Sequence, residues 1–135
     1  MIRNGNAEVL VGNPRPRMTE RQRRLVQWVA SCYGVTAESV RRHDNRRAVK
    51  NARHMAFYLL ADVAELSLAD VGSVIGKAER FHHTTVLHGV RRIRAVRDER
   101  VEQFEAMARE ILGEEVALNR ASIPEPKPVR FVEAA

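Results

Sequence analysis

Residues 82–93 read His-His-Thr-Thr-Val-Leu-His-Gly-Val-Arg-Arg-Ile, and they constrain the fold more than any other stretch of the chain. Val86, Leu87, Val90 and Ile93 recur at helical spacing, so they predict a helix with one apolar stripe that has to dock on a core. His83, Thr84, His88, Arg91 and Arg92 fall outside that stripe. Such a helix shows its neighbours apolar groups and shows the outside imidazoles, hydroxyls and guanidinium groups. Short hydroxyls and a ring nitrogen near a helix start suit base edges in a major groove, and arginines further along suit phosphates. The plain alternative is a solvated helix face that happens to be basic.

Charge supports the first reading. The net charge is +6 and the pI about 10.4, a balance that favours a polyanionic partner without separating nucleic acid from a membrane surface. Its distribution is more telling. Residues 41–54 carry Arg41, Arg42, Arg46, Arg47, Lys50 and Arg53 against Asp44 alone, and residues 77–97 carry Lys77, Arg80, Arg91, Arg92, Arg94 and Arg97 against Glu79 alone. Residues 98–115 reverse the sign, with acids outnumbering Arg100 and Arg109. One basic face is expected.

The rest of the chain reads as helices between breakers. Residues 1–18, with Gly5, Gly12, Pro14 and Pro16, are expected to be a flexible tail. Thr19 and Gln22 suit a capping box for a helix over about 20–32, burying Leu25, Val26, Val29 and Cys32, with Gly34 as its stop. Thr36 suits the cap of a short second helix. The polar run 43–47 predicts a loop, and clustered arginine in a loop suits a minor groove or a phosphate. A long helix over about 48–64 follows. Ser67 opens a helix over about 68–75, Gly76 closes it, and residues 82–93 supply the next. Two helices joined by a glycine-containing turn form a helix-turn-helix pattern. Asp98 caps a last helix to about 112, whose acids should face away from DNA. Residues 114–135, with Pro124, Pro126 and Pro128, are expected to be a second flexible tail.

Several chemistries are not expected. There is no Gly-rich phosphate loop, so no nucleotide, and no cofactor is called for. His83 and His88 are five apart and do not align on a helix face, so no metal site is expected. No nucleophile–histidine–acid set stands out, which argues against an enzyme. The single Cys32 excludes an internal disulfide and suits a reducing cytoplasm; no segment has the length and apolarity of a membrane span.

The motif His83-Thr84-Thr85-Val86-Leu87-His88, followed by Arg91-Arg92-Ile93, resembles the C-terminal DNA-binding domain of the bacterial replication initiator DnaA. That family reads D-H-T-T-V-L-H-A-C-R-K-I here. Arg53-His54-Met55-Ala56 resembles its R-Q-M-A, and Leu66-Ser67-Leu68 with Val71-Gly72 resembles its L-S-L-P-E-I-G. The resemblance implies an all-α fold: a small helical bundle containing a helix-turn-helix, similar to DnaA domain IV and Trp repressor, over residues 19–113. It implies base reading in the major groove by His82, His83 and Thr84, and a minor-groove contact from Arg46 or Asn45. Backbone contacts are implied for Arg47, Lys50, Arg53, His54, Ser67, Thr85 and Arg91. Three departures stand out. His82 replaces the family's aspartate, which changes what the position donates and accepts. Ala52 replaces a proline. Residues 77–81 form a turn about three residues longer than the family's, which bears on how the recognition helix docks.

The expected function is sequence-specific binding of double-stranded DNA by a stand-alone domain of this type. A transcriptional regulator in the cytoplasm, at the nucleoid, is the leading reading, an activator of a phage-like or gene-transfer-agent cluster being one form of it. RNA polymerase or another regulator would be met through the last helix or the C-terminal tail. Regulation of replication at DnaA-box-like origin sites is the alternative, and an interaction adaptor without DNA specificity is the second.

Overall fold

The structure, a computed structural model, describes residues 16–113. The two expected tails, apart from residues 16–18, therefore lie outside the described residues. The elements run α1 (Glu20–Cys32), α2 (Ala37–Val40), α3 (Arg47–Tyr58), α4 (Leu68–Ile75), α5 (His83–Ala95) and α6 (Glu99–Leu112), and α3 continues as a π-helical turn, Leu59–Val63. Among the described residues there is no strand. The all-α class and the helix-turn-helix are as expected.

Local chemistry sets the helix starts. Thr19 and Gln22 form a reciprocal capping box: the Gln22 N–H donates to Thr19 Oγ1 at 3.1 Å, and the Thr19 N–H donates to Gln22 Oε1 at 3.0 Å. Thr36, Ser67 and Asp98 each accept from a backbone N–H three residues on, at 3.1, 3.1 and 3.2 Å. Helix α1 ends where Gly34 adopts φ +71°, with the Val35 N–H bonded to Ala30 O and the Gly34 N–H to Ser31 O. This is a Schellman ending, whose left-handed position glycine occupies without a Cβ penalty.

Helix α3 is the axis of the molecule. Residues 52–60 are buried without a break, because α1, α2, α4 and α5 all pack against it. A helix apolar all round is what a central position requires. The expectation of one long helix to about residue 64 meets a difference. The ladder widens after Tyr58, and the Ala64 N–H reaches back five residues to Leu59 O.

Helix α5 docks on α3 and α4 through Val86, Val90 and Ile93, all buried. Each such side chain is worth about 1.5–3 kcal/mol when fully removed from water. Leu87, expected in this stripe, is half-buried, and Gly89 lies on the buried face instead. Its backbone meets α3 so closely that a Cβ would stand 2.8 Å from His54 Cδ2 and 3.0 Å from Phe57 Cδ2.

Helix α6 closes the other side. Phe104 packs against Trp28 and Tyr33 with ring centroids 5.0 and 5.8 Å away. Its acids do not all face outward as expected. Glu105 is buried, where it accepts from the Tyr58 hydroxyl and takes the Arg97 guanidinium in two bonds of 2.7 and 3.1 Å. Burial opposes ionisation of Glu105, but the bonds from Arg97 and Tyr58 outweigh it and hold the carboxyl below its usual range. Burial, then the bond to Glu105, pushes Tyr58 up to about 12. Cys32, expected in the core, is exposed at the last position of α1.

Candidate nucleic-acid interface

The rim of the site is the start of α5. His82 is its N-cap, and the ring Nδ1 accepts from the Thr84 N–H at 3.2 Å and lies 2.8 Å from Thr84 Oγ1. Accepting at Nδ1 requires an unprotonated nitrogen there, which leaves Nε2 as the outward polar atom. The His82 and His83 rings stack at 4.4 Å. His82, His83, Thr84 and Thr85 are all exposed. Four adjacent side chains thus put ring nitrogens and hydroxyls at the free end of a helix, the arrangement that direct base reading needs.

The preceding turn is built around Phe81, the one large apolar residue of residues 77–81. Phe81 is 3% exposed, and its N–H donates to Gly72 O at 3.1 Å. Gly72 is required at this crossing: a Cβ there would lie 2.1 Å from Phe81 O. The Phe81 ring stacks on His43 at 4.2 Å and meets Phe57 edge-on at 5.5 Å. The longer turn is therefore anchored, and it ties the start of α5 to the basic loop.

That loop is held by Asp44, whose role the charge pattern hid. Its carboxylate accepts from the Arg46 N–H at 2.9 Å and from the Arg46 guanidinium at 2.7–3.1 Å. These Arg46 bonds lower the Asp44 carboxyl to about 2. Arg46 is the N-cap residue of α3 and stays exposed, so it is presented to the outside but already engaged by an acid. Asn45, Arg47 and Lys50 are exposed beside it.

Two expected backbone contacts are placed elsewhere. Arg53 is 5% exposed, and its guanidinium donates to the carbonyls of Val40, Ser39, Arg42 and Asp44. His54 is equally buried, with its ring against Gly89 and its centroid 6.0 Å from that of His88. Neither side chain is at the surface to touch a phosphate, because both are spent on joining elements. Ser67 is exposed, with its hydroxyl oxygen already capping α4.

The exposed cations divide into two sets. Arg42 pairs with Glu38, Arg46 with Asp44, Arg94 with Asp62 and Arg97 with Glu105. Among the described residues, Arg47, Lys50, Arg80, Arg91 and Arg92 have no such acid, and all are exposed. Two of the second set, Lys50 and Arg92, lie near enough to act on the buried His54. Burial is the first cause that lowers it to about 4, and the charges of Arg92, His88, Lys50 and Arg53 add to it. Lys50 of α3 and Arg92 of α5 thus act on one buried ring, the His88 ring lies 6.0 Å from it, and all three side chains are exposed, so they form a basic surface on the helices that carry the loop and the rim. His88 and Arg92 belong to this surface, and their place outside the apolar stripe was the signal for it.

Among the described residues no group of three or more His, Cys, Asp or Glu side chains is arranged to hold a metal ion, and no helix is long and apolar enough to cross a membrane.

Comparison with known proteins assigns the chain to a family. The chain is 36% identical over 84 residues to a chromosomal replication initiator protein DnaA of Chloroflexus aggregans, covering 62% of this chain and 17% of that protein. It is 31% identical over 91 residues to the same initiator of Corynebacterium aurimucosum (65% and 16% covered), and 30% identical over 97 residues to that of Gloeobacter violaceus (70% and 21%). The chain thus spans about a fifth or less of the length of these relatives. No solved structure matches. The family model for the bacterial DnaA protein helix-turn-helix matches residues 23–93, which run from α1 through the buried Ile93 of α5, and the chain belongs to that family.

Proposed function

We propose that the chain is a sequence-specific double-stranded-DNA-binding protein that regulates transcription. The observation that carries this reading is the exposed rim His82–Thr85 lying beside cations without acid partners. The rim reads base edges in the major groove, with His83 and Thr84 as the main readers and His82 altering the preference that an aspartate would give. Arg46 or its neighbour Asn45 follows the minor groove. Arg47, Lys50, Thr85 and Arg91 meet phosphates, joined by Arg92 and, through its hydroxyl proton, Ser67. The described residues include no nucleotide-binding loop, so on this reading the domain acts by occupying a site, recruiting or excluding. A partner such as RNA polymerase would be met through α6 or residues 114–135, and the setting is the cytoplasm.

Regulation of replication is a second reading, favoured by the initiator relatives. Mapping of occupied chromosomal sites separates the two, since promoters support the first and origin sites the second. The DNA reading itself is tested by titrating labelled duplex at increasing salt. Each neutralised phosphate contributes about −0.9 to the slope of log K against log salt, so five or six contacts make affinity fall by orders of magnitude. A flat response, with no preference between duplexes, overturns it in favour of an interaction adaptor.

A further inference from the structure

Arg53 reaches the carbonyls of Val40 at 2.9 Å, Ser39 at 3.4 Å and Asp44 at 2.9 Å, together with that of Arg42. These are the last carbonyls of α2 and those of the basic loop, groups with no partner inside a helix. The other side of the same guanidinium lies over the Phe81 ring, 4.9 Å from its centroid. Phe81 immediately precedes His82, the cap of α5. Its ring also carries His43 of the loop. One planar cation, with donors at its edge and a phenyl ring on its face, therefore sets both the course of the loop and the starting point of α5. A lysine has neither the fork nor the flat face. A buried guanidinium is costly unless its donors are satisfied, and here several carbonyls satisfy them.

We propose that Arg53 and Phe81 are a positioning pair: they hold the basic loop and the start of α5 at one fixed separation, so that the two parts of a DNA site are read as a single unit. This rests on the DNA-reading function proposed above. Neither residue touches DNA. They act through Asn45, Arg46 and Arg47 on one side and His82, His83 and Thr84 on the other. The turn of residues 77–81 is then the spacer that fixes the distance between the two contacts, and its length is matched to the loop by the Phe81 ring.

The test is selection of bound sites from a randomised duplex library by the full chain, the variants R53K and F81L, and the double variant, with helicity and thermal melting measured for each. The full chain is expected to select two blocks of preferred bases at one spacing. R53K and F81L keep the block read by α5, while preference in the flanking block falls roughly tenfold and its spacing spreads. The double variant loses no more than the worse single variant, because the two act as one unit. The pair has no positioning role if the folded variants select both blocks at the original spacing. The same follows if R53K weakens binding equally on all sequences and flattens the salt slope by about one, which would make Arg53 a phosphate contact. A full chain that selects only the α5 block overturns the positioning pair and leaves the DNA reading standing. A full chain that selects nothing removes both.

Discussion

Residues 91–97 carry four arginines that lead two different lives. Arg91 and Arg92 project from the second half of α5 and have no acid within ion-pair distance among the described residues; Arg94, in its last turn, and Arg97, just past its end, are matched to Asp62 at 2.7 Å and to Glu105 at 2.7 Å. Residue type and charge are the same, and the four stand close together in the sequence. The difference lies in what the neighbouring elements present: α3 sets the buried His54 near Arg92, with no carboxylate, whereas the π-turn and α6 send carboxylates toward Arg94 and Arg97. The front of the molecule leaves its positive charge without an acid among the described residues, and the back pairs it with carboxylates of the π-turn and α6. Net charge alone does not separate these uses.

The largest expected effect tests the front through His54. Its folded pKa lies near 4, below the ordinary 6.5, so in acid the unfolded chain takes up the proton first. Stability is then full above about pH 6.5 and falls as pH drops toward 4, by about 2–3 kcal/mol over the window. Urea unfolding at pH 7, 5.5 and 4 should show this fall, and His54→Gln should remove most of it. Bound DNA should raise the His54 pKa, because phosphates offset Arg92 and Lys50. An unchanged urea midpoint across that range would mean that His54 is not held neutral by its burial and the cations around it.

The back is broken next. Glu105→Gln removes the charge that holds Arg97 and Tyr58, and should cost about 2 kcal/mol in urea unfolding. The salt slope of DNA binding should stay as it was. A shallower slope would show that the two ends of α5 are not separate.

Arg91→Gln with Arg92→Gln should do the reverse. Stability changes by less than about 0.5 kcal/mol, and affinity falls about tenfold on every duplex, with a salt slope shallower by up to about two. Arg94→Gln is the smallest effect and the sharpest control. As an exposed pair it should cost no more than about 0.5 kcal/mol of stability and leave DNA binding untouched. If Arg94→Gln weakens binding as much as the front pair does, the division proposed for α5 fails.

What was legible in the sequence was what is local. Thr19, Thr36, Ser67 and Asp98 were read as caps because the bonds they make span three residues. The stripe Val86, Val90 and Ile93 was read because helical periodicity is local too. Arg53 is expected at the surface and found buried because its acceptors lie 9 to 14 residues back, at the end of α2 and in the loop after it, whose path periodicity does not give. Glu105 was placed among surface acids because its partner Tyr58 is 47 residues away. Cys32 kept the spacing of a buried position, yet α1 ends there and its side chain is left outside. The widening of α3 after Tyr58 had no signal, since an apolar run reads alike in an α and a π ladder. For the interface, the exposure of His83 and Thr84 follows by subtraction from the apolar stripe, whereas Asp44 and Phe81 stand in segments whose loop and turn character is legible but whose anchoring contacts are not local.

The tight meeting of Gly89 with His54 and Phe57 has a consequence for which residues can stand together at positions 54 and 89. The family string quoted above has alanine at the first of these positions and glutamine at the second. With a histidine in place, the alanine methyl would overlap a ring that has no free space to retreat into. The residues at 54 and 89 are therefore coupled: an imidazole at 54 asks for glycine at 89, and Gly89→Ala alone sets a methyl against a buried ring.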